Sequence, residues 1–175
     1  IKSSSEMKKV ALSVGDTNGV YLVPAFSGLG APHWDPHAKG IILGLTRGTN
    51  RGHIARAALE SIAYQSLDLL KAMESDSKIR LTQLRVDGGA CVNNLLLQFQ
   101  TDLIRVPLIR PQTIETTALG AAYLAGLSVG FWKNKEEISL QWRSERMFHP
   151  VKAKNEMESL YLGWQNAVEI SKSKN

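Results

Sequence analysis

Cysteine is almost missing from these 175 residues: Cys91 stands alone. No disulfide can form within the chain, and this usage fits a reducing compartment. No apolar run of about 18 residues occurs, so no membrane-spanning helix is expected. No basic stretch leading into an apolar core opens the sequence, so no export signal is expected. Four histidines, His33, His37, His53 and His149, lack the spacing of metal ligands, and no metal site is expected. The familiar phosphate cradles are missing too. No Gly-Lys-Ser/Thr closes a P-loop, no G-x-G-x-x-G marks a dinucleotide fold, and no G-x-S-x-G presents a hydrolase serine. The net charge is +5, but much of the excess sits near the ends, at Lys8, Lys9, Lys152, Lys154, Lys172 and Lys174. Basic residues do not interleave with aromatics, so nucleic-acid binding is not expected.

What remains is an ordinary globular composition, 43% hydrophobic and 21% charged, organised around one stretch. Leu84-Arg85-Val86-Asp87-Gly88-Gly89-Ala90-Cys91-Val92-Asn93-Asn94 reads as a buried strand, a glycine turn and a helix start. Leu84 and Val86 alternate with Arg85 as a sheet strand requires. Gly88 and Gly89 remove the Cβ atoms that would keep a flat ligand off the backbone. The helix that follows offers unpaired N–H groups and a positive dipole end, which suit nucleotides and anions. A structural strand-to-helix turn is the alternative.

Around that stretch the pattern predicts an α/β layered domain with parallel pairing. The expected strands cover 20–26, 40–45, 83–87 and 107–109, with 7–14 open between helix and strand. Asp16 to Gly19 forms a turn, because Asn-Gly favours positive φ. Asn50 caps a long helix ending near Ser75, with Ile54, Ala58, Ile62, Leu69 and Met73 facing the core. Further helices are expected over 92–104 and 118–129, the second opened by Glu115-Thr116-Thr117. That second helix carries Gly120, Ala121, Ala122, Ala125 and Gly126, a small-residue face suited to tight helix packing. Asn134 with Glu137 starts a short helix, and 142–150 reads as irregular. The final helix turns Met157, Leu160, Tyr161, Trp164 and Val168 to one side. The loop from Ser27 to Pro36 offers Trp34, His33 and Asp35 as cleft residues. The simpler expectation has Trp34 plugging a core edge and His33 solvated.

Few side chains here suggest catalysis. Cys91 reads as a small buried thiol. Asp102 and Glu60 fall on helices as solvated or paired acids, and Asp16 belongs to its turn. Asp87, at the strand mouth beside Gly-Gly, is the carboxylate placed nearest a cleft.

Two separated segments, Gly40-Ile41-Ile42-Leu43-Gly44-Leu45 and His53-Ile54-Ala55-Arg56-Ala57-Ala58-Leu59-Glu60, together resemble the second signature of the FGGY carbohydrate kinase family. Val20 through Pro36, Leu84 through Ala90 and Glu115 through Gly126 resemble the glycerol kinase branch of that family, and the similarity runs from about Thr17 to Trp164. The resemblance implies an actin-like (ribonuclease-H-like) ATPase domain, the C-terminal one of two that clasp a cleft. That domain would span 1–175, incomplete at its N-terminal side, with loose ends at about 1–6 and 171–175. It implies that Gly88, Gly89, Ala90 and Asn93 hold the adenosine part of ATP. The implied activity is transfer of the γ-phosphoryl group of ATP, with Mg2+, to glycerol. The family's catalytic aspartate, phosphate loop and glycerol-binding residues have no counterpart here, so no catalytic residue is assigned and the chain alone should not turn over. Glycerol would reach the protein through that other part, and ATP and ADP are the direct ligands. The resemblance further implies a cytoplasmic, homo-oligomeric whole protein. A different sugar kinase of the family and a non-catalytic adenine-nucleotide-binding module are the alternatives.

Overall fold

In the computed structural model, residues 4–173 are described. The order is α1 (Ser4–Ala11), β1 (Tyr21–Val23), β2 (Ile41–Leu43), α2 (Arg51–Ser77), β3 (Leu84–Arg85), a 3-10 turn (Gly89–Val92), α3 (Asn94–Ile104), β4 (Leu108–Pro111), α4 (Thr116–Ser128), α5 (Lys135–Ser139), β5 (Ser144–Phe148) and α6 (Lys154–Ser171). β1 and β2 form an antiparallel ribbon, with Leu22 opposite Ile42. A second sheet has the order β3-β4-β5. There β3 and β4 are parallel, with Leu84 opposite Leu108, and β5 joins β4 antiparallel. Parallel pairing is therefore confined to one of three strand pairs.

Local sequence explains most of these elements. Asn18 and Gly19 adopt φ of 50° and 74°, the paired left-handed geometry of a tight turn, and the Asn18 N–H donates to Asp16 at 2.8 Å. Gly44, at φ 84°, lies so close to the Gly19 carbonyl that no side chain fits between them. Asn50 accepts from the Gly52 N–H at 2.8 Å while His53 Nδ1 accepts from the Asn50 N–H at 3.1 Å, a reciprocal cap. Asn134 caps α5 by accepting from the Glu137 N–H at 2.9 Å, while the Glu137 carboxylate accepts from the Lys133 N–H at 2.8 Å.

The core is built where α2, α3 and α6 meet the β1–β2 ribbon. Trp164 stacks on Tyr64 with ring centroids 5.1 Å apart, and Phe99 meets Tyr64 edge-on at 5.4 Å. Buried Asp68 accepts from the Tyr161 hydroxyl at 2.5 Å and from Trp164 Nε1 at 2.7 Å. Asp102, also buried, accepts from Val151 N at 2.6 Å and Lys152 N at 3.1 Å, tying the start of α6 to α3. Glu60 is buried against Arg56 at 2.9 Å, and burial pushes its carboxyl above the ordinary range. Both acids are thus paired rather than solvated.

Several expectations fail for physical reasons. The 20–26 strand shortens to three residues, since Pro24 has no N–H to extend the ladder. The inward face of α2 is carried by Ala55, Leu59, Ala63, Tyr64, Leu67 and Asp68, whereas Ile62, Leu69 and Met73 are exposed. The α6 aromatics draw Tyr64 and Asp68 inward, turning α2 away from its apolar period. A strand, β5, replaces the irregular 142–150 segment. Its residues Ser144 to Met147 are exposed and only Phe148 is buried, so a charged edge strand left no alternation to read. Glu115 contributes no side-chain cap to α4. On that helix only Gly126 is buried, against the Trp132 ring, while Gly120 faces open space. Apart from Gly126, no residue of the small-residue face is buried among the described residues, and the face does not pack tightly against another helix.

The loop from Ser27 to Pro36 departs in the opposite direction. Trp34 is 76% exposed at φ 51°, and His33 tucks inward, its Nε2 3.6 Å from Asp68 Oδ2. Asp35 holds the loop shape, accepting from His37 N at 2.9 Å and Ala38 N at 3.0 Å. It also receives Ser173 N at 2.7 Å. At the chain ends, Ser4 to Glu6 open α1 and Ser173 is held by Asp35. The expected looseness at 1–3 and 174–175 lies outside the described residues.

Candidate functional site

The central turn is set by the sheet beneath it. The Leu84 N–H donates to the Pro107 carbonyl at 2.9 Å and the Val86 N–H to Ile109 at 3.0 Å, fixing β3 beside β4. The chain then reverses at Gly88, whose φ of 81° suits glycine. Its N–H donates to the Ile114 carbonyl at 2.8 Å, and its own carbonyl accepts from Cys91 N at 3.1 Å. Gly89 to Val92 follow as the 3-10 turn, closed by Asn93 N donating to Ala90 at 3.1 Å.

Asn93 ends the turn and caps α3, its Oδ1 accepting from Leu95 N at 3.1 Å and Leu96 N at 3.4 Å. Two donors at this helix start are thereby used within the chain, so α3 has less to offer an anion than its sequence implies. With Oδ1 spent on the cap, the NH2 group of the Asn93 carboxamide is the part of it left to donate.

An arginine that sequence reasoning passed over holds the turn from below. Buried Arg110 donates from Nη1 to the Cys91 carbonyl at 2.8 Å and to Asn94 Oδ1 at 2.9 Å. Its Nε donates to Glu145 at 2.6 Å, which holds that carboxyl below the ordinary range. The available signal was one guanidinium inside the apolar run Leu108-Ile109-Arg110-Pro111, since such a charge persists in a core only when bonded. Cys91 is buried as expected, and burial pushes its thiol up.

Above the turn lies a cleft of about 390 Å³. Gly89, Ala90, Val92 and Asn93 form one wall, Leu59 and Ile62 of α2 another, and Met7 and Lys8 of α1 a third. A side chain added at Gly89 would have its first carbon more than 4 Å from any other group. The space over that glycine is open. Of the four residues expected to hold adenosine, Gly89, Ala90 and Asn93 line the cleft, and Gly88 shapes the turn behind it. Asp87 is exposed and not part of the lining.

The chain matches the FGGY family of carbohydrate kinases, C-terminal domain, over residues 2–129. It belongs to that family. Among similar curated proteins, a glycerol kinase of Trichlorobacter lovleyi is 59% identical over 172 residues, covering 98% of this chain and 35% of that protein. A glycerol kinase of Caldanaerobacter subterraneus is 59% identical over 169 residues, covering 97% of this chain and 34% of that protein. Among solved structures, the Plasmodium falciparum glycerol kinase with ADP superposes with a TM-score of 0.87 at 37% identity. That alignment covers 100% of this chain and 35% of the parasite protein. A xylulose kinase of Lactobacillus acidophilus, at 22% identity and a TM-score of 0.78, covers 97% of this chain and 35% of that protein and shares the fold. This FGGY domain therefore has the actin-like, ribonuclease-H-like architecture, and the chain spans about a third of the length of the relatives it matches.

Proposed function

We propose that this FGGY domain is the adenine-nucleotide-binding side of a glycerol kinase. The whole protein would transfer the γ-phosphoryl group of ATP to glycerol, giving glycerol 3-phosphate. One observation carries the reading: the cleft over Gly89, with apolar walls from Ile62 and Val92 and the Asn93 carboxamide at its edge. A purine needs two flat apolar faces, close approach to backbone and a hydrogen-bond partner at its rim. Similarity of 57–59% to curated glycerol kinases supports glycerol over the sugars of other family members.

In this reading Gly89 and Ala90 admit the base, Asn93 donates to a ring acceptor, and Gly88 with Arg110 keeps the turn rigid. Phosphoryl transfer rests on positioning and charge stabilisation, and the residues assigned here supply the positioning. Mg2+ neutralises phosphate charge in such reactions. Among the described residues no cluster of three or more metal-binding side chains gathers, so no role of the metal is assigned to this chain. Among the described residues no helix is long and apolar enough to cross a membrane. A cytoplasmic, homo-oligomeric whole protein completes the proposal.

Calorimetric titration with ADP tests it. Gly89→Val puts a branched side chain into the open space without touching the fold, and should reduce ADP affinity at least tenfold. Unchanged affinity, with an unchanged circular dichroism spectrum, would place the nucleotide elsewhere.

A further inference from the structure

The walls of the cleft carry a single charge. Met7, Leu59, Ile62, Gly89, Ala90, Val92, Asn93 and Leu96 are neutral, and Lys8 alone is ionised. No carboxylate lines the space, and Lys8 forms no ion pair among the described residues. Its backbone is fixed, because α1 is seated on α2 through Val10 and Ala11 against Ala55 and Leu59. The Lys8 carbonyl also accepts from Leu12 N at 3.0 Å. A lysine in such a place rests its methylene stem along apolar neighbours and carries its ammonium to the rim. With no acid of its own, that ammonium is a positive charge waiting for an anionic ligand.

We propose that Lys8 reads the negative charge of the nucleotide, binding its phosphate-bearing part and so favouring ADP and ATP over the uncharged nucleoside. This rests on the reading of the cleft as an adenine-nucleotide site. Gly89, Ala90 and Asn93 contact the base, which ADP and adenosine share, whereas Lys8 contacts what only the nucleotide has. Its contribution to affinity is charge-assisted, and salt weakens it.

The test is calorimetry on the 175-residue chain with ADP and with adenosine, at low and moderate salt. Lys8→Met keeps length and helix propensity while removing the charge. It should weaken ADP binding about fivefold, a change of about 1 kcal/mol, and leave adenosine binding as it was. The salt dependence of ADP binding should flatten, and Lys8→Arg should restore both the affinity and the salt slope. A merely structural lysine would lower both affinities together, and equal losses, or none, overturn the role of Lys8. If ADP does not bind the unsubstituted chain at millimolar concentration, or Gly89→Val leaves its affinity unchanged, the cleft reading fails and the Lys8 proposal fails with it. ADP binding sensitive to Gly89→Val but indifferent to Lys8→Met refutes Lys8 alone.

Discussion

Replacing Asp68 should destabilise this domain more than any surface charge can. The carboxylate is 8% exposed and accepts from two buried donors, the Tyr161 hydroxyl at 2.5 Å and Trp164 Nε1 at 2.7 Å. Trp164 is 1% exposed and Tyr161 9%, so neither donor can turn to solvent when its acceptor is lost. Each buried donor left without a partner costs about 1–3 kcal/mol. Asp68→Ala should therefore cost roughly 2–6 kcal/mol, a large share of the 5–15 kcal/mol that holds a typical domain together. Asp68→Asn keeps one acceptor but turns an NH2 group toward the other donor, and should fall below the alanine change. Tyr161→Phe removes a donor and leaves the carboxylate its bond to Trp164, for a loss of about 1 kcal/mol. Urea unfolding followed by circular dichroism reads all three. Because Asp68 and Tyr161 share a bond, their double variant should be less destabilised than the sum of the single ones. An alanine change under about 1 kcal/mol with an unaltered denaturant slope, or strict additivity, would refute the idea that this carboxylate organises the α2–α6 contact.

Three shorter tests address the site and the loop. Cys91, buried beneath the turn with its thiol pushed up, should resist a thiol reagent in the folded chain and react promptly in denaturant; rapid native labelling would mean the turn opens. Arg110→Met should loosen that turn, by removing the donor to Cys91 and Asn94, and weaken ADP binding; unchanged affinity would leave Arg110 a purely structural residue. The Asp35 carboxyl is held below its ordinary range, first by the Ser173 N–H. Its stabilisation is therefore present above the unfolded-state value of about 3.9 and is lost as pH falls through the folded one. Hydrogen-exchange protection at Ser173 and Ala38, measured against the intrinsic rate at each pH, should fall on acidification, and Asp35→Asn should remove that fall; protection that does not change with pH would contradict it.

The central turn was legible because its signals are backbone signals. Glycine at a left-handed position, an asparagine cap and a short apolar strand each act locally, so Gly88, Asn93 and Leu84 could be placed from their neighbours alone. Side-chain direction over longer distances was not. The period of α2 points Ile62, Leu69 and Met73 inward, yet the helix buries Asp68 because Tyr161 and Trp164, almost a hundred residues away in sequence, donate to it, and buries Tyr64 because Trp164 stacks on its ring. The edge strand β5 escaped for a related reason. Its exposed residues Ser144, Glu145, Arg146 and Met147 owe their conformation to the ladder with β4, not to burial.

The same division runs through the cleft, and it bears on what the site can do. Its floor, the Gly-Gly-Ala turn, is written in one contiguous stretch and fixed mostly by bonds that stay close in sequence, with Arg110 and the Gly88 N–H bond to Ile114 as the distant ones. Its walls are assembled from Met7 and Lys8, from Ile62, and from Val92, residues with no shared motif. The apolar side chains that the α2 period assigned to the core include one, Ile62, that instead faces this space. An exposed isoleucine on a long helix would ordinarily need no explanation. Here it lines the same cleft as Gly89, where a glycine leaves room and an isoleucine supplies an apolar face. Replacing either changes the cleft from opposite sides: Gly89→Val fills it, and Ile62→Ser removes a face. If the base lies between them, both lower ADP affinity although one adds bulk and the other takes it away. A site elsewhere would have no reason to respond to both.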